Sequence, residues 1–247
     1  MKALEVLPVE GLPEIRPGDD LPELVARAAG ENLRAGDILV VTHKVVSKAE
    51  GRLVDLRAVE PSPLARGFAA RYERDPRQVE VVLGESRRIV RMDRGLIIAE
   101  THHGFVCANA GVDASNVPGD DVVCLLPEDP DASAARLRDA LAHRTGSDLA
   151  VIVSDSFGRP WREGITNVAI GVSGMSPLAD YRGQRDPHGY PLEASVLAVA
   201  DELAATAELV MGKTEGIPVA IVRNYPHKVA PGTARDLLMG PERDLFR

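Results

Sequence analysis

The reading of the fold turns on residues Val79 to Leu126, VEVVLGESRRIVRMDRGLIIAETHHGFVCANAGVDASNVPGDDVVCLL. Apolar, β-branched runs at Val79–Leu83, Leu96–Ala99 and Val122–Leu126 follow one another here with no helical period of useful length between them. A doubly wound sheet would need a crossover helix after nearly every strand, so the stretch predicts an α+β class. Its expected form is a set of mixed, largely antiparallel sheets with flanking helices. Working outward, further strand-like runs occupy Ile38–Val46, Leu149–Val153, Val168–Val172 and Val219–Val222. Helical spacing is clearest from Leu192 to Met211, where Leu192, Val196, Val199, Leu203, Ala207 and Val210 recur every three or four residues. Leu21–Leu33 and Ala132–His143 are shorter helix candidates, the second preceded by Asp129-Pro130-Asp131, which suits a helix start. No repeat, low-complexity tract or long linker interrupts the chain, so residues 1–247 are expected to form one domain, or two intertwined subdomains.

With 247 residues and 45% hydrophobic content, the chain is long and apolar enough to bury a sizeable core. A formal net charge of -8 argues against a general nucleic-acid binder, because phosphate backbones are gripped by basic faces. Cys107 and Cys124 are the only cysteines, too few for a disulfide framework. The N-terminal residues do not read as a signal peptide, and no apolar run approaches the roughly 20 residues a membrane helix requires. A soluble, cytoplasmic protein without a membrane partner is the expectation.

Several familiar nucleotide and catalytic motifs are missing. Gly212-Lys213-Thr214 looks like the end of a phosphate-binding loop, but position 207 is Ala and the segment follows a helix instead of opening one. G-x-G-x-x-G, H-E-x-x-H, C-x-x-C and G-x-S-x-G are also absent. Polar residues gather instead at four places. Thr42-His43-Lys44 and Ser47–Arg52 follow a strand, where Lys48 would serve a phosphate as a point charge or simply belong to a solvated basic turn. Thr101-His102-His103-Gly104 precedes a Gly-flanked loop in which Asp113 and Asn116 offer hard oxygen donors. Neighbouring strand residues point to opposite faces, so a structural role for His102 and His103 is favoured over a metal site.

The third cluster is Ser154–Arg162, read as an apolar strand delivering Asp155 into a Gly-Pro loop with Arg159, Trp161 and Arg162. Asp113 and Asp155 together would suit Mg²⁺ or Mn²⁺ on nucleotide phosphates, with the arginines meeting phosphate or a carboxylate. The plainer reading has Asp155 capping a turn and both arginines on the surface. The fourth, Met211–Pro218, joins the long helix to the last strand, and a helix C-cap at Gly212 accounts for it physically.

Taken together, six segments resemble the coenzyme F-420:L-glutamate ligase (gamma-glutamyl ligase) family, in its free-standing form. They are Gly11–Glu14, Gly36–Arg52, Ala108–Asn116, Ser154–Arg162, Asp180–Gly183 and Met211–Pro218. The resemblance implies an intertwined homodimer that uses GTP and two Mn²⁺ or Mg²⁺ ions per site, with K⁺ as an additional ion. Its implied reaction adds L-glutamate to the lactyl side chain of a coenzyme F-420 precursor through an acyl phosphate, then extends a gamma-linked tail. Gly11, Leu12, Pro13, Glu14, His43, Lys48 and Asn116 would meet the nucleotide. Met211, Gly212, Lys213, Thr214, Glu215, Gly216, Ile217 and Pro218 would face its phosphates. Asp113, Asp155 and Ser156 would hold metal, with Glu215 as a further ligand, while Arg159 and Arg162 are candidates for substrate or phosphate.

One departure stands out: a serine is expected after Thr42, where this chain carries His43. No residue is assigned as general base, although His102 and His103 are the available imidazoles of their loop. The same chemistry on another acceptor, a non-catalytic nucleotide- or metal-binding regulator, and a metal-dependent hydrolase remain alternative readings of these residues.

Overall fold

The computed structural model describes residues 2–117, 119–227, 229–240 and 242–244. In chain order the first elements are β1 (Glu5–Pro8), α1 (Leu21–Ala29), β2 (Ile38–Thr42), α2 (His43–Ala49) and β3 (Leu53–Asp55). Then come α3 (Pro63–Tyr72), α4 (Pro76–Gly84), β4 (Ser86–Asp93), β5 (Leu96–Thr101), β6 (Val106–Ala108) and β7 (Val122–Cys124). The last third contains α5 (Pro130–Thr145), β8 (Ala150–Arg159), β9 (Arg162–Ser173), β10 (Ala179–Asp180), β11 (Val196–Leu197), α6 (Val199–Met211) and β12 (Val219–Arg223).

The main sheet has strand order β1-β12-β2-β8-β9, and only the β2–β8 pair is parallel. Smaller sheets pair β3 with β7, β10 with β11, and β5 with both β4 and β6, all antiparallel. The α+β expectation therefore holds.

Both faces of the main sheet are covered, which is why its inner strands read as unbroken apolar runs. Leu39, Val41, Val151, Val153, Val219 and Ile221 point to one side, where α1 and α5 supply Val25, Leu137 and Leu141. Ile38, Val40, Ala150, Ile152, Ala220 and Val222 alternate to the other side, against Leu203, Ala207 and Met211 of α6. Each of the larger aliphatic side chains among these contributes roughly 1.5–3 kcal/mol on burial. Gly171 in β9 marks where α5 presses closest, since a Cβ there would stand 2.2 Å from the Pro130 carbonyl oxygen. A third cluster, with Leu56, Val79, Val82, Ile97 and Val123, lies among α3, α4 and the small sheets.

Four helices start with one device. Asp20, Ser62, Asp75 and Asp129 each accept a backbone N–H of the first turn, with proline at the first or second helical position. At Asp75-Pro76 this signal corrects the strand expected at Val79–Leu83. The segment is helix α4, with only Val79 and Val82 buried, three residues apart on one face. The predicted run Ile38–Val46 is likewise split: the strand stops at Thr42 and His43 opens α2. The long helix begins at Val199 instead of Leu192. Residues 192–198 are instead tied to a hairpin, with Gly183 N–H on the Leu192 oxygen and Tyr181 N–H on the Ser195 oxygen. Finally, Ser154–Arg159 are not a loop but the outer half of β8, paired with β9 past a bulge at Val153/Ser154.

Candidate functional site

The parallel pairing of β2 with β8 ends with Thr42 opposite Ser154, where β2 gives way to α2 while β8 runs on, paired with β9 alone. A crevice outside the ends of parallel strands is the usual ligand position in such sheets. Here it is a cleft of about 850 Å³, walled by Leu12–Ile15, the start of α2, Asp113–Val117, the middle of β8, and the turn after α6.

Charge in the cleft is organised as cross-chain pairs. Lys44 Nζ lies 2.7 Å from Asp113 Oδ2, and Ser115 adds its N–H at 2.7 Å and its hydroxyl at 3.0 Å to the same carboxylate. Burial opposes ionisation of Asp113, but the Lys44 ammonium and the Ser115 donors hold its carboxyl below the usual range. Lys48, only 5% exposed, carries its charge to the Glu14 carboxylate. Lys213 contacts Glu208 at 2.8 Å and also donates to the Ser156 hydroxyl. That hydroxyl donates to Asn167 Oδ1 at 2.6 Å, and Asn167 Nδ2 donates to Glu208 Oε2 at 2.7 Å. Asp155 accepts the Ser156 N–H at 2.7 Å and faces His43 Nε2 at 3.3 Å.

Of the residues expected at the nucleotide, Leu12, Pro13, Glu14, His43, Lys48, Asn116, Gly212, Lys213, Thr214, Gly216, Ile217 and Pro218 line this cleft. So do Asp113, Asp155 and Ser156. Gly11 is outside the lining. Met211 is packed in the core under α6. Glu215 turns onto its own loop, where the Thr214 N–H at 2.9 Å holds its carboxyl below the usual range. Arg159 lies at the exposed β8–β9 turn, donating to the carbonyls of Glu163 and Gly164, and Arg162 begins the return strand there. His102 and His103 stand apart from the cleft: His102 Nε2 meets the Gly84 oxygen at 3.0 Å, and His103 Nε2 meets the Pro127 oxygen at 2.8 Å.

Lys44, Ser154, Asn167 and Glu208 line the cleft without having been singled out. Lys44 was visible inside the THK segment. Asn167 and Glu208 carried no local signal, because each is one of several polar residues scattered along β9 or α6, with no motif around it.

The donor chemistry suits a hard divalent cation. Asp113, Asp155, Ser156 and Glu208 present carboxylate and hydroxyl oxygens to one space. No group of three or more His, Cys, Asp or Glu side chains is preassembled as a metal cage among the described residues. Two of these acids are neutralised by Lys44 and Lys213. Bound metal would therefore be shared with an incoming ligand, as is common for Mg²⁺ on phosphates.

Comparison with known proteins places this geometry in context. A family model described as F420-0:Gamma-glutamyl ligase matches residues 11–224. The coenzyme F420:L-glutamate ligase of Methanothermobacter thermautotrophicus is 48% identical over 250 residues, covering 99% of each chain. The enzyme of that name from Methanopyrus kandleri is 48% identical over 255 residues and the full length of both. That of Methanocaldococcus jannaschii is 42% identical, covering 100% of this chain and 98% of its own.

Proposed function

The chain belongs to the F420-0:gamma-glutamyl ligase family and is an amide-bond-forming ligase, and on that premise we propose that it joins L-glutamate to the coenzyme F420 precursor F420-0 using GTP. The observation that carries the reading is one cleft assembled from Glu14, Lys48, Asp113 and Asp155, which lie far apart in sequence.

The precursor's carboxylate takes the γ-phosphoryl group of GTP, breaking the bond to the β-phosphate oxygen and releasing GDP. The α-amino nitrogen of glutamate then attacks the acyl carbon and gives up a proton, the amide bond forms, and the acyl carbon–oxygen bond breaks to release inorganic phosphate. Repetition on the product's glutamate extends a gamma-linked tail. All three reactants are anionic, so bringing them together is chiefly an electrostatic problem.

The cleft's own charges nearly cancel: Lys44, Lys48 and Lys213 face Glu14, Asp113, Asp155 and Glu208. A triphosphate therefore needs added positive charge. Two Mn²⁺ or Mg²⁺ ions held by Asp113, Asp155 and Ser156 would supply it, neutralising charge that develops on the transferred group. Lys44 and Lys48, freed from Asp113 and Glu14, would turn to phosphate oxygens as point charges. The turn at Gly212–Pro218 walls the same space, with backbone rather than a motif loop available to phosphate.

A homodimer, implied by family resemblance, also fits the exposure of Trp161 (81%) and Ile165 (59%) on the β8–β9 hairpin. The proposed setting is cytoplasmic; among the described residues no helix is long and apolar enough to cross a membrane.

Purified protein incubated with F420-0, L-glutamate, GTP and Mn²⁺ is expected to yield products heavier by one or more glutamyl units, with matching phosphate release. Phosphate release without glutamate or acceptor would make it a hydrolase. Binding of GTP and metal without any turnover, on this or other acceptors, would make it a regulator.

A further inference from the structure

His43 occupies the first position of α2 and is 1% exposed, directly behind Asp155. Its Nδ1 lies 3.4 Å from the Ser47 hydroxyl, one turn along the same helix, and Ser47 is itself fully buried. Its Nε2 is closed off from solvent, has no aligned hydrogen bond, and meets Asp155 Oδ1 at 3.3 Å. A buried polar nitrogen without a partner is costly, and its nearest acceptor here is a carboxylate that lines the cleft.

Neutral imidazole carries one proton, and the partner on one nitrogen decides where it sits. The Asp155 carboxylate accepts, so the tautomer that suits it carries the ring proton on Nε2, directed at Asp155, and leaves Nδ1 to accept from the Ser47 hydroxyl. A small rotation of the Asp155 carboxylate would align the two. Direct ligation of a metal by Nε2 is disfavoured, because that atom is buried away from solvent.

We infer that His43 is a positioning residue, oriented through Ser47, whose Nε2–H orders Asp155 for cation binding. This rests on the assignment of Asp155 as a metal-holding carboxylate. Ordering a ligating carboxylate by a donor from behind leaves fewer of its rotamers to be lost on binding, and removing such partners typically weakens metal sites about 10- to 100-fold.

The test is Mn²⁺ alone, titrated into the full chain without GTP, with free ion counted by electron paramagnetic resonance and thermal midpoints recorded alongside. His43→Ala is expected to weaken Mn²⁺ binding about 10- to 100-fold, and His43→Gln, which restores an N–H donor, to stay within about threefold of the native chain. Ser47→Ala, a milder change that keeps the imidazole, should weaken binding in the same direction by about threefold. Native affinity in a folded His43→Ala protein would overturn the inference. So would equal loss in the Ala and Gln variants, since packing rather than a donor would then matter. Should His43→Ala fail to fold, the Gln and Ser47→Ala variants decide. Asp155→Asn is the control: native Mn²⁺ affinity there would remove the metal assignment itself, whatever His43 does.

Discussion

The cleft and the outer surface of the β4–β5 sheet are built from the same residue types, arginine or lysine against aspartate or glutamate. They differ in how far apart the partners are in the chain and how dry they are. On the sheet, Arg91 pairs with Asp93 two residues away, and Arg88 reaches Glu100 across the adjacent strand. These cations keep about half or more of their side chains in water, so the pairs contribute little and are screened by salt. In the cleft, Lys44 reaches Asp113 and Lys48 reaches Glu14 across several intervening elements of the chain, and both lysine stems are largely buried.

The contrast shows that a shifted carboxylate is not by itself a site. Asp55 sits at about 2 because the Arg57 guanidinium grips it, yet both are exposed and local. What distinguishes Asp113 is a depressed carboxyl that is shared with Lys44, from another part of the chain, and open to a cleft.

The largest expected effect lies in the cleft. Asp155→Asn or Asp113→Asn should lower glutamyl transfer on the order of a thousandfold while leaving the thermal midpoint within a few degrees, because removing a group that stabilises developing charge has this scale of effect. The check is product mass with the melting curve measured in parallel. Transfer at native rates in both variants, at limiting metal, would erase the difference between the two regions.

A smaller effect separates a carboxylate held by a cation from one buried with only a neutral donor. Burial pushes the Asp201 carboxyl up, only partly offset by the Ala169 N–H, whereas Asp113 is held down. A raised acid contributes fully below its unfolded value, near 3.9, and loses that contribution as pH rises through its folded value. Asp113 does the opposite: its contribution is present above the unfolded value and disappears as pH falls through its lower folded one. Asp201→Asn is therefore expected to raise the melting temperature by about 2 °C at neutral pH, with no gain in acid. Melting scans at the two pH values decide this, and a gain that persisted in acid would point to packing instead.

The smallest effect belongs to the sheet surface. Arg91→Ala should change stability by less than about 0.5 kcal/mol and leave turnover untouched. Denaturant titration that showed a loss several times larger would promote this patch from solvated charge to structure.

Much of the frame was legible in residues alone. The runs around Ile38–Val41, Leu149–Val153 and Val219–Val222 are strands, because side chains alternating onto two buried faces must all be apolar. Asp129-Pro130 announces α5 by satisfying an orphan backbone donor and presetting φ. The same arithmetic was available at Asp75-Pro76, but the β-propensity of Val79, Val81 and Val82 concealed it. Period and capping disagreed there, and packing against the third core cluster decided for helix.

The segments that bear the cleft were also visible as polar stretches between apolar ones. Which of their side chains share one space was not. That Lys44, Asn167 and Glu208 enter while Met211, Glu215, Arg159 and Arg162 turn elsewhere depends on the parallel β2–β8 register, the bulge in β8 and the rotation of α6. A sequence specifies local hydrophobic period and caps through neighbours a few residues away. The convergence of His43 with Asp155, or Lys48 with Glu14, is a contact across the chain that comes into being only when the sheet closes its core.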